Sequence, residues 1–284
     1  MTPHSPTPMK PIDDHRESRA TNGHGSRRQQ RHLGPMGGHF VAACGEFVGT
    51  FLFLYMAYGG HLMIISTEAG GAVGGGASNT TFIWIAFAYG FSLLVNVWAF
   101  YRISGGLFNP AVTLSLCLSG GVPWIRGALF LFPAQLLASM CAGGLVEAMF
   151  PGNVADVNTL LNGRTSQAQG VFLEMFFTSQ LVIVVLMLAK EKSRDTFLAP
   201  IGIGLALFVA MIPGVWVTGG SLNPVRSFGC AVAGRDFPSY HWIYWLGPCL
   251  GALLATGFYW AMKVLHYEEA NPGQDAPHPD AVEP

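Results

Sequence analysis

Between residues 39 and 266 the chain carries only 17 charged side chains, nine basic and eight acidic, in 228 positions. The rest is organised in apolar runs. A hydrocarbon core about 30 Å thick needs roughly 20 apolar residues per helix. Six stretches reach that length: about 39–62, 80–101, 124–148, 169–189, 197–217 and 240–263. Over the whole chain 11% of residues are charged, against about 25% in ordinary soluble domains. The fold class this implies is an all-α membrane protein with six transmembrane helices.

Two apolar pieces of about ten residues remain, near 109–118 and 223–232. They are too short to span, yet each sits in a connection between full spans. Backbone at membrane depth must be satisfied within the protein, so both read as re-entrant half-helices. Each half of the chain then holds three spans and one short piece. Glu46 opens the first half and Glu174 the second; Asn109-Pro110-Ala111 and Asn223-Pro224-Val225 occupy matching places. Three spans are an odd number, so the second half enters from the opposite side. The expected architecture is an inverted 3+3 repeat, with repeat one at about 39–148 and repeat two at about 169–266.

Basic residues orient the array. Lys190, Lys192 and Arg194 share one link, six Lys and Arg precede residue 39, Arg102 follows the second span and Lys263 closes the sixth. By the positive-inside rule both termini and the 190–196 link are cytoplasmic. Residues 1–38 hold six basic and three acidic side chains, and 267–284 hold five acidic and no basic ones. Both tails read as disordered from composition. No secretory signal is recognisable in the polar stretch 1–38, so the first span is expected to direct insertion.

Several functions are excluded on this evidence. A formal net charge of −1 provides no basic field for nucleic acid, and no Gly-rich phosphate loop of Walker or Rossmann spacing occurs. The five cysteines, Cys44, Cys117, Cys141, Cys230 and Cys249, lie in apolar runs and read as helix residues, with neither a disulfide nor a metal site. No cofactor, no metal and no chemical step are expected.

Asn followed by Pro is a favourable helix start: Asn caps the first turn, and Pro loses nothing at the first helical position. One such pair is only a helix start. Two, each opening a half-helix at matching points of an inverted repeat, are more specific. Their N-termini, each worth roughly half a positive charge, would meet near mid-membrane. The amide groups of Asn109 and Asn223 would then offer donors to a single file of water and disfavour cations and protons there.

These stretches, Gly106-Leu107-Phe108-Asn109-Pro110-Ala111-Val112-Thr113 and Gly219-Gly220-Ser221-Leu222-Asn223-Pro224-Val225-Arg226-Ser227-Phe228-Gly229, closely resemble the paired signatures of the major intrinsic proteins, the aquaporin and glycerol-facilitator family. The resemblance covers nearly all of 39–266. Phe197-Leu198-Ala199-Pro200-Ile201-Gly202-Ile203-Gly204 is most similar to the fungal water-channel branch. The resemblance implies a narrow filter near the outer face, formed by Tyr89, Met211, Gly220 and Arg226, with Glu46 and Glu174 supporting the re-entrant loops. It also implies a homotetramer, one pore per subunit, in the plasma membrane. An Arg inside the hydrocarbon region is in any case costly and a functional candidate; the alternative for Arg226 is a pairing with a buried carboxylate.

Two filter positions depart from the strict water pattern, which has Phe and His where this chain has Tyr89 and Met211. Gly220 adds no side chain, so the constriction should be less polar and wider. Pro213, two residues after Met211, reads as a bend at the end of the fifth span. Ser227, Ala231 and Tyr244-Trp245 resemble the water branch. Val225 replaces the usual Ala and would crowd the meeting point. The acids Glu46 and Glu174 read as hydrogen-bonded anchors and not as a proton relay, because no chain of further acids or histidines lies in the spans. Arg126 and Glu147 are expected to reach the interfaces. Gly49, Gly90, Gly143, Gly144, Gly202, Gly204 and Gly251 would let helices approach closely. A sequon at Asn79-Thr80-Thr81 and a phosphorylation site at Ser193 have weaker support.

The function expected is passive conduction of water, with small neutral solutes such as glycerol as the alternative. A secondary transporter shares inverted repeats and broken helices, but no carboxylate pair or coupling-ion constellation appears. A scaffold with a vestigial pore is the remaining reading.

Overall fold

The computed structural model describes residues 34–71 and 79–272, with the side chains of 68–71, 79 and 194 left aside. The expectations for 1–33, for 273–284 and for the Asn79 side chain lie outside that range. Every regular element among the described residues is helical. We label them α1 (Pro35–Gly71), α2 (Asn79–Phe100), α3 (Pro110–Leu118), α4 (Trp124–Met149), α5 (Gln167–Lys190), α6 (Ala199–Thr218), α7 (Pro224–Ala233), α8 (Ile243–Val264) and α9 (Tyr267–Ala270). α3 and α7, nine and ten residues long, are the two half-helices.

Five helices, α1, α2, α4, α5 and α6, are long and apolar enough to cross a membrane by length and composition. α8, the sixth, has 22 residues, or roughly 33 Å at 1.5 Å per residue. Its Trp, Tyr, Gly and Pro residues dilute its apolar character. α1 runs nine residues past the expected end at 62, and α9 forms a short turn inside a stretch expected to lack structure.

Packing repeats between the halves. α1 packs on α2 and α4; α5 packs on α6 and α8 in the same way; α2 and α6 cross between the halves. Each half-helix lies on a span of the other half, α3 on α8 and α7 on α4. The α2–α6 crossing brings backbones together: a Cβ on Gly90 would sit 2.9 Å from the Gly204 carbonyl, and one on Gly204 would sit 2.8 Å from that of Gly90. Gly143 and Gly229 do the same for α4 and α7, at 2.7 Å from the Gly229 carbonyl. Gly144 is different. Nothing lies within 4 Å of its added Cβ, so it faces outward and does not bring helices together.

Pro133 sits where α4 would otherwise clash with its own preceding turn. The helix widens to a π turn over Gly127–Leu131, which gives the ring room without ending the helix. A second π turn, Leu186–Lys190, finishes α5. Pro213 lies within α6 on its exposed face. All five cysteines are free, and Cys44 and Cys141 are exposed on outer faces.

Candidate permeation pathway

The loops leading into the half-helices are built alike, residue for residue. Glu46 of α1 takes the hydroxyl of Ser104 (2.7 Å) and the N–H of Leu107 (2.9 Å) on Oε1, and the N–H of Phe108 (2.8 Å) and the Gln135 amide (2.7 Å) on Oε2. Glu174 of α5 takes the hydroxyl of Thr218 (2.6 Å) and the N–H of Ser221 (2.9 Å) on Oε1, and the N–H of Leu222 (2.7 Å) on Oε2. Both carboxyls are fully buried. The same hydroxyls accept from Gly106 (3.2 Å) and Gly220 (3.3 Å).

Phe108 and Leu222 both adopt φ of 51°, a left-handed conformation that costs a residue with a side chain roughly 1–2 kcal/mol. The carboxylates offset this by gripping the N–H of those same two residues. That turn aims the next residue, an Asn, at the opposite loop. Asn109 caps α3, its Oδ1 accepting from the Ala111 N–H at 2.9 Å, and its amide donates to the Leu222 carbonyl at 2.8 Å. Asn223 caps α7 through the Val225 N–H at 3.1 Å, and its amide donates to the Phe108 carbonyl at 2.8 Å. The two half-helix tips are thus bonded crosswise. One amide hydrogen of each Asn is used in this way, where the sequence suggested that the whole group faced a lumen; one hydrogen each remains. Pro110 and Pro224 occupy the first helical positions, and Ala111 and Val225 are fully buried behind them.

A cavity of about 300 Å³ follows both caps. Asn109 and Asn223 line it together with Tyr89 and Arg226, and so do Tyr101, Arg126, Lys190 and Lys192. Arg226 is 1% exposed. Its Nη1 donates to the Val157 carbonyl (3.1 Å) and its Nη2 to the Tyr89 hydroxyl (2.7 Å) and the Gly219 carbonyl (3.3 Å). The guanidinium carbon lies 4.9 Å from the Tyr89 ring centre. Among the described residues no carboxylate comes within ion-pair distance of it, so the simple carboxylate pairing weighed for Arg226 is not what holds it. Met211 and Gly220 adjoin each other: a Cβ on Gly220 would meet the Met211 sulfur at 2.6 Å. Neither borders the cavity.

Four contributors had escaped the sequence reading. Gln135 of α4 bridges Glu46 and the Thr113 hydroxyl (2.9 Å); Tyr58 of α1 donates to the Arg226 carbonyl at 2.6 Å. Ser104 and Thr218 complete the set. The last two had a signal, since a hydroxyl residue followed by Gly-Gly precedes each Asn-Pro pair at the same distance, in Ser104-Gly105-Gly106 and Thr218-Gly219-Gly220. Arg126 is half-buried, its Nε donating to His39 at 3.0 Å. Glu147 accepts from the Val154 N–H at 2.7 Å.

Two half-helices capped tip to tip within a six-helix inverted repeat define a channel fold. Residues 38–259 match the family described as major intrinsic protein, and the chain belongs to that family, one of aquaporin-type membrane channels and not of enzymes. A probable aquaporin-3 of Gibberella zeae is 70% identical over 246 residues, 87% of this chain and 86% of that protein. Aquaporin-2 of Botryotinia fuckeliana is 53% identical, with 84% of this chain matched to 63% of the longer protein, and its aquaporin-7 is 51% identical over 53% of its length. The crystal structure of the aquaglyceroporin from Plasmodium falciparum shares the fold, with a TM-score of 0.64 at 22% identity over 78% of this chain and 95% of that one.

Proposed function

We propose that the chain is a passive channel for water that excludes protons and ions at two places. The observation that carries this reading is the crosswise bonding of Asn109 and Asn223, which holds two half-helix N-termini together beside a cavity. Each tip carries roughly half a positive charge, so a water at the junction turns its oxygen to the amides and its hydrogens away. A cation or proton meets the same potential unfavourably. Pro110, Ala111, Pro224 and Val225 set the tips. Tyr89 and Arg226, which line the cavity, form the filter with Met211 and Gly220, which touch each other outside that lining; Arg226 gives water a donor and repels cations. Glu46 and Glu174 anchor the loops. The 70% identity to a probable aquaporin-3 supports water as the substrate.

A second reading, a facilitator of glycerol and other small neutral solutes, is favoured by Met211 against Gly220, which supplies neither an imidazole donor nor a second polar edge. Stopped-flow light scattering on proteoliposomes separates the two: water, glycerol and urea are compared at matched protein density. Fast water flow with a low activation energy and slow glycerol flow supports the first reading; comparable glycerol flow supports the second. Gradient-dependent, saturable uptake would indicate a transporter.

In this reading residues 39–266 form the channel domain, and 1–38 and 267–284 are tails on the cytoplasmic side of the plasma membrane. Four copies, each with its own pore, complete the assembly. The sidedness of the termini is open to measurement by protease accessibility in cells, and the fourfold assembly by light scattering of the detergent-solubilised particle.

A further inference from the structure

α1 presents two polar side chains one turn apart, Tyr58 and His61, toward α7 and α2. Tyr58 holds the backbone of Arg226. His61 is 7% exposed, and a polar ring buried in an apolar helix is costly unless it is bonded. Its Nδ1 lies 3.5 Å from the Tyr89 hydroxyl, at the outer limit of a hydrogen bond, and the two rings meet edge to face at 5.9 Å.

The direction of the bond follows from counting protons. Arg226 has only donors, so at 2.7 Å the Tyr89 oxygen accepts from it. The single Tyr89 hydroxyl proton must then point elsewhere. Among the described residues, the one acceptor within reach is His61 Nδ1. We propose that His61 is a positioning residue of the filter: as the neutral tautomer with its proton on Nε2, it receives the Tyr89 hydroxyl proton and fixes the phenol oxygen where Arg226 donates to it. The inference rests on the channel reading above. It gives the filter an imidazole from α1, acting one bond away from the passage, in a chain whose fifth span offers Met211 at the position where strict water channels carry His.

Among the described residues Tyr89 is the only side-chain acceptor of the guanidinium; its other partners there are the backbone carbonyls of Val157 and Gly219, and Nε has none. Without His61 the hydroxyl proton turns to water in the lumen, the phenol rotates, and Arg226 loses that restraint. Discrimination between water and larger neutral solutes then falls.

The test uses full-length protein in proteoliposomes, with the glycerol-to-water permeability ratio as readout. His61→Leu is expected to raise that ratio about 3–10-fold, the range that loss of one hydrogen bond spans. His61→Asn, which keeps an acceptor near the Nδ1 position, is expected to restore most of the wild-type ratio. In a Tyr89→Phe background, His61→Leu is expected to add nothing, because the bond is already gone. An unchanged ratio in His61→Leu, or an equal effect in both backgrounds, overturns the proposal. A second measurement does not depend on transport: in ¹⁵N-histidine-labelled protein in nanodiscs, the resonance missing from His61→Asn identifies His61. An unprotonated Nδ1 whose shift moves in Tyr89→Phe supports the bond; a protonated Nδ1, or one insensitive to Tyr89→Phe, overturns it. Wild-type water flow no faster than that of empty vesicles would instead overturn the channel reading, and the nitrogen shifts would still decide the bond.

Discussion

A carboxylate inside a membrane span is costly unless donors surround it, and Glu46 and Glu174 are surrounded by donors from loops that could not otherwise turn. Each carboxylate holds the N–H of a residue at φ of 51°, which makes the side chain the fastening of a strained turn. Replacing Glu174 by Gln turns one carboxylate oxygen into an NH₂ group, which then faces either the Ser221 or the Leu222 N–H and cannot accept from it. Thermal unfolding in detergent is expected to show a loss of about 1–3 kcal/mol for each donor orphaned, and water permeability should fall with it. In the proposed channel Arg226 acts on selectivity: Arg226→Val removes three donated bonds and the positive charge of the proposed filter. The variant is expected to pass glycerol and monovalent cations more readily; unchanged selectivity in vesicle flux assays would contradict the role given to Arg226. At this scale the sequence exposed the isolated charges, because a Glu or an Arg in an apolar run stands out. Gln135, Tyr58 and His61 did not stand out, since an amide, a phenol or an imidazole in a helix reads as ordinary until its partner on another helix is known.

Helix elements were legible to within a few residues wherever an apolar run ended in charge or in Asn-Pro, as α2, α3 and α7 illustrate. α1 overran because residues 63–71 contain no Pro or basic residue to stop it. Which glycine faces a neighbour was only partly legible, because adjacent Gly143 and Gly144 look alike in sequence and point to different sides. That difference is testable. Gly90→Ala and Gly204→Ala place a methyl within 3 Å of the facing helix and are expected to cost about 1–3 kcal/mol by overpacking; Gly144→Ala meets nothing and should be neutral or slightly stabilising. The junction of α5, α8 and α9 carries a charge cluster. Partial burial works against the Glu191 charge, but the Tyr259 hydroxyl (2.8 Å) and Lys263 (3.0 Å) outweigh it and hold the carboxyl below its usual value. Lys263 also pairs with Glu268 of α9. A carboxyl depressed in the folded state stabilises fully above its ordinary value of 4.5, and the contribution disappears as pH falls through the depressed value. Glu191→Gln is therefore expected to cost about 0.2–1 kcal/mol at neutral pH and nothing in strong acid. A melting-temperature difference that persists in acid would contradict this account.

At the scale of the whole molecule, the inverted repeat was legible because two features recur in the same order, an acid in the first span and an Asn-Pro before a short helix. The crosswise bonds between the tips were not legible, since they depend on backbone turned by the left-handed residues Phe108 and Leu222, whose sequences give no sign of it. Those bonds are what make two separate half-helices one constriction. The most direct measurement records osmotic shrinkage and proton leak in the same proteoliposomes, by scattering and by an enclosed pH-sensitive dye. The expected result is water flow well above that of empty vesicles with a low activation energy, and proton leak no faster than theirs. Water flow equal to that of empty vesicles, or proton leak that rises with it, would contradict a water file held between Asn109 and Asn223.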